Sequence, residues 1–157
     1  MNQPRPILTE PFIQEKVLQC LISKGWSNIT TNAELWEQGV DIKVRHKQYG
    51  RYWLIEVKGD PSSKVKNPSG SRSSSFNSAI GQIISRMHNN RKTKYLGCQH
   101  GYKYGIAFST YFRDMVIRKL PHWVMRKLCL YVFFVNQKGH VEEIDWRLMK
   151  KLQNEFL

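Results

Sequence analysis

The chain has 157 residues, enough for one domain with a hydrophobic core of its own. It contains no apolar run of the roughly 20 residues that a membrane-spanning helix needs, no signal-peptide pattern at its start, and no CxxC pair among its three cysteines. These features argue against a membrane segment, a disulfide framework and a zinc cage. We therefore expect one cytoplasmic domain over residues 1–157.

The net charge of +13 lies almost entirely in one segment. Residues 61–140 contain fourteen Lys and Arg residues against a single acid, Asp114, whereas residues 1–60 and 141–157 are nearly neutral. A surface that is merely solvated usually mixes both signs of charge. The segregation therefore predicts a polyanionic partner, for which nucleic acid is the natural candidate.

Hydrophobic periodicity predicts a helix over residues 9–24, with Thr9 as its N-cap and Gly25 after its last turn. A short strand is expected over residues 26–31, followed by a loop. Residues 39–60 then alternate between apolar and polar side chains in two runs, which is typical of a β-hairpin with one buried face. The apolar side chains of this hairpin are Val40, Ile42, Val44, Trp53, Ile55 and Val57.

Folding the hairpin at its centre places Ile42 opposite Ile55 and all six apolar side chains on one face. The same register places Asp41 directly opposite Glu56 on the other face, with Lys58 two residues further along. Directly opposed residues have Cβ atoms about 4.5–5.5 Å apart, so two carboxylates would repel each other without a cation between them. Two acids and a lysine at the end of a hairpin therefore predict a Mg²⁺ site. A surface ion cluster without a metal is the structural alternative.

Residues 61–78 are rich in Ser, Pro and Gly, and this composition predicts a mobile loop. The cations of the loop, which would close over a phosphate backbone, are Lys64, Lys66 and Arg72. A plain surface loop is the alternative. A helix is predicted over residues 78–89, where Gln82 and Arg86 share a face because they are four residues apart. The buried side of this helix is expected to contain Ala79, Ile80, Ile83, Ile84 and Met87.

The C-terminal half is predicted to contain a buried strand over residues 104–108 and a helical region over residues 113–128 that Pro121 interrupts. A second buried strand, a turn and a short partner strand follow, and Asp145 caps a last helix. The cations of this half and of the preceding basic turn are Arg91, Lys92, Lys94, Arg118, Lys119, Arg126 and Lys127. Trp36 and Trp123 are the tryptophans expected to be exposed enough to contact bases.

The order helix, three strands, helix, strand over residues 9–109 resembles the core of the restriction-endonuclease-like (PD-(D/E)XK) nuclease superfamily, including restriction-type and Holliday-junction-resolvase-type members. Gly39-Val40-Asp41 is similar to the aspartate segment of that superfamily, with Val40 in place of the more usual proline. Glu56-Val57-Lys58 is similar to the second half of the motif. The tripeptide alone is expected about once by chance in this composition, so the strand context and the register with Asp41 carry the resemblance.

The resemblance implies further roles and a fold. Glu15 corresponds to the acid that many members carry on the first helix, and Gln82 to a glutamine on the helix after the motif strands. Arg86 occupies the position of the tyrosine in the branch with a Q-xxx-Y pattern, so the chain departs from that branch. The implied fold is α/β, with an αβββαβ core whose central mixed sheet is flanked by helices. A C-terminal strand and helix extension would occupy residues 110–157.

The resemblance also implies a Mg²⁺-dependent endonuclease, with Mn²⁺ as a substitute, that cuts double-stranded DNA as a homodimer. Asp41, Glu56 and the carbonyl of Val57 would hold the metal. Lys58 and Gln82 would position the attacking water, and Glu15 would act through a water. The DNA-binding residues would be Lys64, Lys66, Arg72, Arg86, Arg91, Lys92, Lys94, Arg118, Lys119, Arg126 and Lys127. A non-catalytic DNA-binding subunit and an RNA-directed nuclease are the alternatives, and restriction, recombination, repair and element excision are all compatible settings.

Overall fold

A six-stranded mixed sheet with helices packed against it forms the centre of the molecule. The structure, a computed structural model, describes residues 5–28, 40–46, 48, 51–87 and 102–156. The strands are β1 Trp26–Asn28, β2 Ile42–His46, β3 Tyr52–Val57, β4 Tyr102–Ser109, β5 Leu130–Val135 and β6 Val141–Ile144. The helices are α1 Glu10–Ser23, α2 Pro68–Arg86, α3 Arg113–Lys119, α4 His122–Leu128 and α5 Trp146–Phe156, with a 3-10 turn at Thr110–Phe112.

The strands lie side by side in chain order, from β1 at one edge to β6 at the other. The central strands β3, β4 and β5 are parallel to one another, and the three remaining pairs of neighbours are antiparallel. The mixed sheet is therefore confirmed. Parallel neighbours need a crossover connection that usually contains a helix, which explains why α2 separates β3 from β4 and why α3 and α4 separate β4 from β5.

Helix α1 matches the helix predicted over residues 9–24. The Thr9 Oγ1 atom accepts a hydrogen bond from the Phe12 amide at 3.3 Å, and Gly25 follows the helix with a φ of 94°, a left-handed conformation that suits glycine. One side of α1 is buried against alternate residues of the hairpin strands. The buried residues of α1 are Ile13, Val17 and Leu21.

The predicted hairpin register is confirmed, since Ile42 pairs with Ile55 and Val44 with Trp53. The expectation for Val40 was wrong. The other five apolar side chains pack with α1, whereas Val40 packs half-buried with the cluster on the opposite face of the sheet. The β2 ladder begins only at Ile42, so the alternation of side chains along a strand does not extend to Val40.

The prediction of a mobile loop over residues 61–78 is wrong for the second half of that segment. Asn67 caps α2 by accepting a hydrogen bond from the Gly70 amide at 3.0 Å, and the helix runs from Pro68 to Arg86. Phe76, inside the segment predicted as a loop, is 5% exposed and contacts the Phe108 ring of β4. Tertiary packing therefore stabilises a Ser-rich helix that its composition disfavours. Ile84, predicted to be buried, is 48% exposed.

The C-terminal half follows its prediction closely. Pro121 separates α3 from α4, and the Asp145 carboxylate accepts a hydrogen bond from the Leu148 amide at 2.8 Å to cap α5. The basic turn and the loop with Trp36 lie outside the described residues. Among the residues that are described, no helix combines the length and apolar character needed to cross a membrane.

Candidate metal and nucleic-acid site

The carboxylates of Asp41 and Glu56 meet at the end of the β2–β3 hairpin. The hairpin register, continued by one residue beyond Ile42 and Ile55, places the two acids opposite each other. The Asp41 Oδ2 atom accepts a hydrogen bond from the Val57 amide at 2.7 Å, so a side chain takes the place of the next ladder bond. The Gln14 amide of α1 donates to the Asp41 carbonyl at 2.7 Å. Asp41 is therefore held in place by hydrogen bonds from β3 and from α1.

Glu56 is the charged residue of the site that the fold buries most, with 2% of its surface exposed. Burial and the neighbouring Asp41 carboxylate raise the pKa of Glu56 to about 7, and a hydrogen bond between the two carboxyl groups contributes to this. The charges of Arg86 and Lys58 act in the opposite direction. Glu56 therefore retains a proton closer to neutral pH than an ordinary glutamate does, because its ionised form would lie buried beside a second carboxylate.

Arg86 of α2 brings a guanidinium group to Glu56, and Gln82 lies about one turn before Arg86 on the same helix. The Arg86 Nε atom lies 3.7 Å from the Glu56 Oε1 atom, too far for a hydrogen bond. Within the described part of the chain, three buried side-chain atoms lack a hydrogen-bond partner, and they are Glu56 Oε1, Gln82 Oε1 and Arg86 Nε. Buried polar atoms usually have partners, so three atoms without them, on β3 and on the helix α2 that packs against it, are typical of a site that binds water, an ion or a substrate group.

Lys58 follows β3 directly, and its backbone amide donates to the Ala107 carbonyl of β4 at 3.0 Å. This bond extends the pairing of β3 and β4 past the end of the strand. Lys58 is only partly exposed, and its charge is close enough to lower the pKa of Glu56. The structure thus brings together Asp41, Glu56 and Lys58, the three residues that the hairpin pattern singled out.

Glu15 forms its side-chain hydrogen bond within α1 and not with this cluster. Its side chain is exposed, and its Oε1 atom accepts a hydrogen bond from the Gln19 side chain at 3.1 Å. The α1 residue that does contact the site is its neighbour Gln14, which sequence reasoning missed. A helix turns by about 100° per residue, so a shift of one position decides which side chain faces the sheet.

The predicted DNA-binding cations are spread over several elements. Arg86 lies beside Glu56, Arg72 lies in the second turn of α2, and the exposed Lys64 and Lys66 lie in the segment before that helix. The cations of the predicted basic turn, Arg91, Lys92 and Lys94, fall outside the described residues. Those on the exposed sides of α3 and α4 are Arg118, Lys119, Arg126 and Lys127.

The side chains at this site fit a hard divalent cation that also binds water or phosphate oxygens. In the described residues, no group of three or more His, Cys, Asp or Glu side chains forms a complete metal cage. Mg²⁺ does not require one, because it commonly binds one or two carboxylates and keeps waters or phosphate oxygens as its other ligands. Asp41 and the orphaned oxygen of Glu56 supply two such carboxylates, next to the carbonyl of Val57.

Comparison with known proteins adds a similarity of fold. No family model and no curated protein matches the chain. Among solved structures, the chain is similar to an XisH family protein from Nostoc punctiforme, with a TM-score of 0.51 and 14% sequence identity. The match covers 85% of this chain and 99% of that chain. At this identity the likeness shows a shared mixed α/β architecture and carries no statement about activity.

Proposed function

We propose that the protein is a Mg²⁺-dependent endonuclease that hydrolyses phosphodiester bonds in double-stranded DNA. The observation that carries the proposal is the pairing of Asp41 with the buried Glu56, whose raised pKa and unpaired Oε1 atom both indicate a missing positive charge. The element order α1, β1, β2, β3, α2, β4 supports a restriction-endonuclease-like core, since Asp41 directly precedes β2 and Glu56 lies opposite it on β3, as in the PD-(D/E)XK pattern.

In this mechanism Asp41 and Glu56, with the carbonyl of Val57, would hold the metal ion. When bound, Mg²⁺ would supply Lewis-acid polarisation of the scissile phosphate and would lower the pKa of a water ligand. Lys58 lies beside the carboxylates, where its ammonium group stabilises the negative charge that grows on the phosphate in the transition state. The unpaired Gln82 Oε1 accepts a hydrogen bond from the attacking water and orients it. Gln14 keeps Asp41 in place through its carbonyl.

A cleavage assay tests this proposal. Supercoiled and linear DNA are incubated with Mg²⁺ or Mn²⁺ and with the wild type, Asp41→Asn, Glu56→Gln and Lys58→Ala. We expect each substitution to lower the cleavage rate by roughly 100-fold or more, the usual effect of removing a group that acts in the transition state. Glu142→Gln is the control, because Glu142 of β6 pairs with Arg113 of α3 and lies outside the cluster. Cleavage that survives in both Glu56→Gln and Lys58→Ala contradicts the proposed chemistry.

Arg86 favours a second candidate function, a DNA-binding subunit without turnover. Its guanidinium already lies near Glu56 and partly compensates the buried charge without a metal. Titration of Mn²⁺ into the wild type and Arg86→Met separates the two candidates. A nuclease site binds Mn²⁺ in both proteins, whereas a site neutralised by Arg86 binds it only in the variant. In the second case, DNA binding without cleavage by the wild type is the expected result.

A further inference from the structure

A groove with two adjoining cavities opens beside the segment that follows β3. The inner cavity has a volume of about 630 Å³ and reaches Gly59, the residue after Lys58. The outer cavity has a volume of about 250 Å³ and ends at Arg5, Arg72 and Tyr111. The inner volume lies within the range of roughly 300–1,000 Å³ that is usual for small-molecule sites. The residues common to both linings are Ile7, Asp60, Pro61 and Ser62, which makes the cavities one continuous groove.

Asp60 lines both cavities, and its carboxylate is hydrogen-bonded within the protein. Its carboxylate accepts hydrogen bonds from the Leu8 amide at 2.8 Å and from the Ser109 hydroxyl, and its backbone amide donates to the Leu8 carbonyl at 2.9 Å. These bonds clamp the segment before α1 against the ends of β3 and β4. This part of the groove is therefore held in place without a ligand, and both carboxylate oxygens of Asp60 already have donors.

The two ends of the groove differ in charge. The inner end contains Glu10. Its backbone packs so closely against Gly59 that a Cβ atom on this glycine would lie 2.7 Å from the Glu10 amide nitrogen. The outer end contains two guanidinium groups. Arg5 lies over the Tyr111 ring at 4.9 Å, and Arg72 forms no ion pair with any acid among the residues described. An anion is therefore repelled at the inner end and attracted at the outer end.

The groove also offers hydroxyl donors along its length. The Ser62 Oγ atom accepts from the Lys64 amide at 3.2 Å and keeps its own proton to donate, and Ser75 lines the inner cavity from α2. Guanidinium and hydroxyl groups are the usual partners of nucleic-acid phosphate oxygens, and arginine binds them in a bidentate manner. Beyond Gly59, which follows Lys58, the groove thus consists of a cavity of small-molecule size and then a pair of cations.

We propose that this groove binds the nucleotide next to the scissile phosphate, with its sugar and base in the inner cavity and its phosphate between Arg72 and Arg5. The inference rests on the proposed function for the position of the scissile phosphate. It adds a phosphate subsite that is separate from the metal-binding carboxylates. Arg72 acts there as a binding and positioning residue.

Two measurements on Arg72→Ala and Lys150→Ala test the subsite. Lys150 is the control, because it is an exposed cation on α5 that does not line the groove. Thymidine 3′,5′-bisphosphate is titrated in EDTA by NMR, and we expect Arg72→Ala to weaken its binding about tenfold while Lys150→Ala binds like the wild type. Thymidine without phosphates should bind much more weakly to all three proteins. In cleavage, Arg72→Ala should raise KM more than it lowers kcat, since Arg72 is remote from the reacting atoms.

The outcomes distinguish this subsite from the nuclease proposal. Bisphosphate binding that depends on Arg72, in a protein that cleaves no DNA, supports the subsite and removes the nuclease proposal. Cleavage by the wild type that is equally fast in Arg72→Ala and Lys150→Ala supports the nuclease and overturns the subsite. Wild-type protein that fails to bind the bisphosphate also overturns it. Arg72→Lys serves as a further check on folding, and we expect it to recover part of the affinity because it keeps the charge and loses the planar fork.

Discussion

Glu56 makes the protein less stable when it is ionised. Its pKa of about 7 in the folded protein lies above the value of 4.5 that applies to the unfolded chain. An acid with a raised pKa binds its proton more tightly in the folded state, so the folded state is favoured at low pH. This contribution to stability is fully present below pH 4.5 and is lost as the pH rises to about 7.

Glu56→Gln should remove this pH dependence. In EDTA, we expect Glu56→Gln to gain stability over the wild type as the pH rises, because glutamine stays neutral throughout. The difference in free energy of unfolding between the variant and the wild type should be about 2–3 kcal/mol larger at pH 8 than at pH 4.5. Urea denaturation at both pH values measures the difference. Glu155→Gln is the control, since Glu155 is exposed on α5. A gain at pH 8 that is the same for both variants would mean that the Glu56 site does not cause the effect.

At the scale of single residues, sequence reasoning found Asp41, Glu56 and Lys58 because they belong to one hairpin. Alternation along two strands fixes which residues oppose each other, and no long-range information is needed. The contacts of Gln14 and Arg86 with the site were missed because each depends on how a helix docks on the sheet. A helix can rotate slightly about its axis and still bury the same apolar residues. The apolar pattern therefore does not determine which polar residue of the helix reaches the site.

At the scale of elements, α2 begins ten residues before the start that its sequence predicts. Residues 68–77 contain five serines and one apolar anchor, Phe76, so their composition resembles a loop. The anchor packs on β4, and the Lys119 ammonium of α3 donates a hydrogen bond to the Ser73 hydroxyl. Both contacts join segments far apart in the chain, which is why local pattern could not predict this half of the helix.

Gly81 offers a test of α2 as a regular helix. It lies exposed in the interior of α2, and a Cβ atom there would meet nothing within 4 Å. Gly81→Ala should therefore raise the free energy of unfolding by about 1 kcal/mol, since alanine favours the helix. Thermal denaturation measures the effect, which should appear as a higher Tm. A lower Tm would mean that residue 81 is not in a regular, exposed helix turn.

Gly105 is the matched glycine for that test. It lies in β4, where a Cβ atom would approach the Phe133 ring to 2.9 Å and the Ile55 side chain to 3.1 Å. Gly105→Ala should destabilise the protein by about 1–3 kcal/mol, because overfilling a packed core forces its neighbours to move. Opposite signs for the two Gly→Ala substitutions would confirm both environments in a single type of experiment.

At the scale of the whole molecule, the basic segment is not one uniform surface. Lys103 of β4 points its ammonium at the Trp53 and Tyr131 rings, each 4.9 Å away, so it stabilises the core by cation–π contacts. The cations of α4 lie on its exposed side beside Trp123, which is 56% exposed as its sequence position suggested. The net charge therefore predicts a polyanionic partner but does not indicate which of the cations face outward.

Salt dependence should identify the cations that contact DNA. We expect binding to weaken steeply with salt, and Lys127→Ala to reduce the slope of log K against log salt concentration by about 1, as loss of one phosphate contact does. Fluorescence anisotropy on a labelled duplex measures the slope. Lys24→Ala is the control, because Lys24 lies outside the basic segment and pairs with Glu143 at 3.0 Å. An unchanged slope for Lys127→Ala would remove α4 from the interface.

The overall order of elements was predictable because most of them carry their own periodicity and caps. The strand order and the parallel pairing of β3 with β4 were not, since they depend on contacts between segments separated by a complete helix. The αβββαβ order suggested a mixed sheet, and the structure contains one. The cluster at Glu56 was half predictable, because its acids are local in sequence and its α2 groups are not.

The difference between local and distant pairings also sets an order of events in folding. Strands β2 and β3 are neighbours in the chain, so closing their hairpin costs little chain entropy, whereas pairing β3 with β4 requires closure of a much longer loop. Chains are synthesised from the N-terminus, and early segments can begin to organise before later ones exist. We therefore expect the two carboxylates to meet in the nascent chain before Arg86 and the rest of the basic segment have left the ribosome.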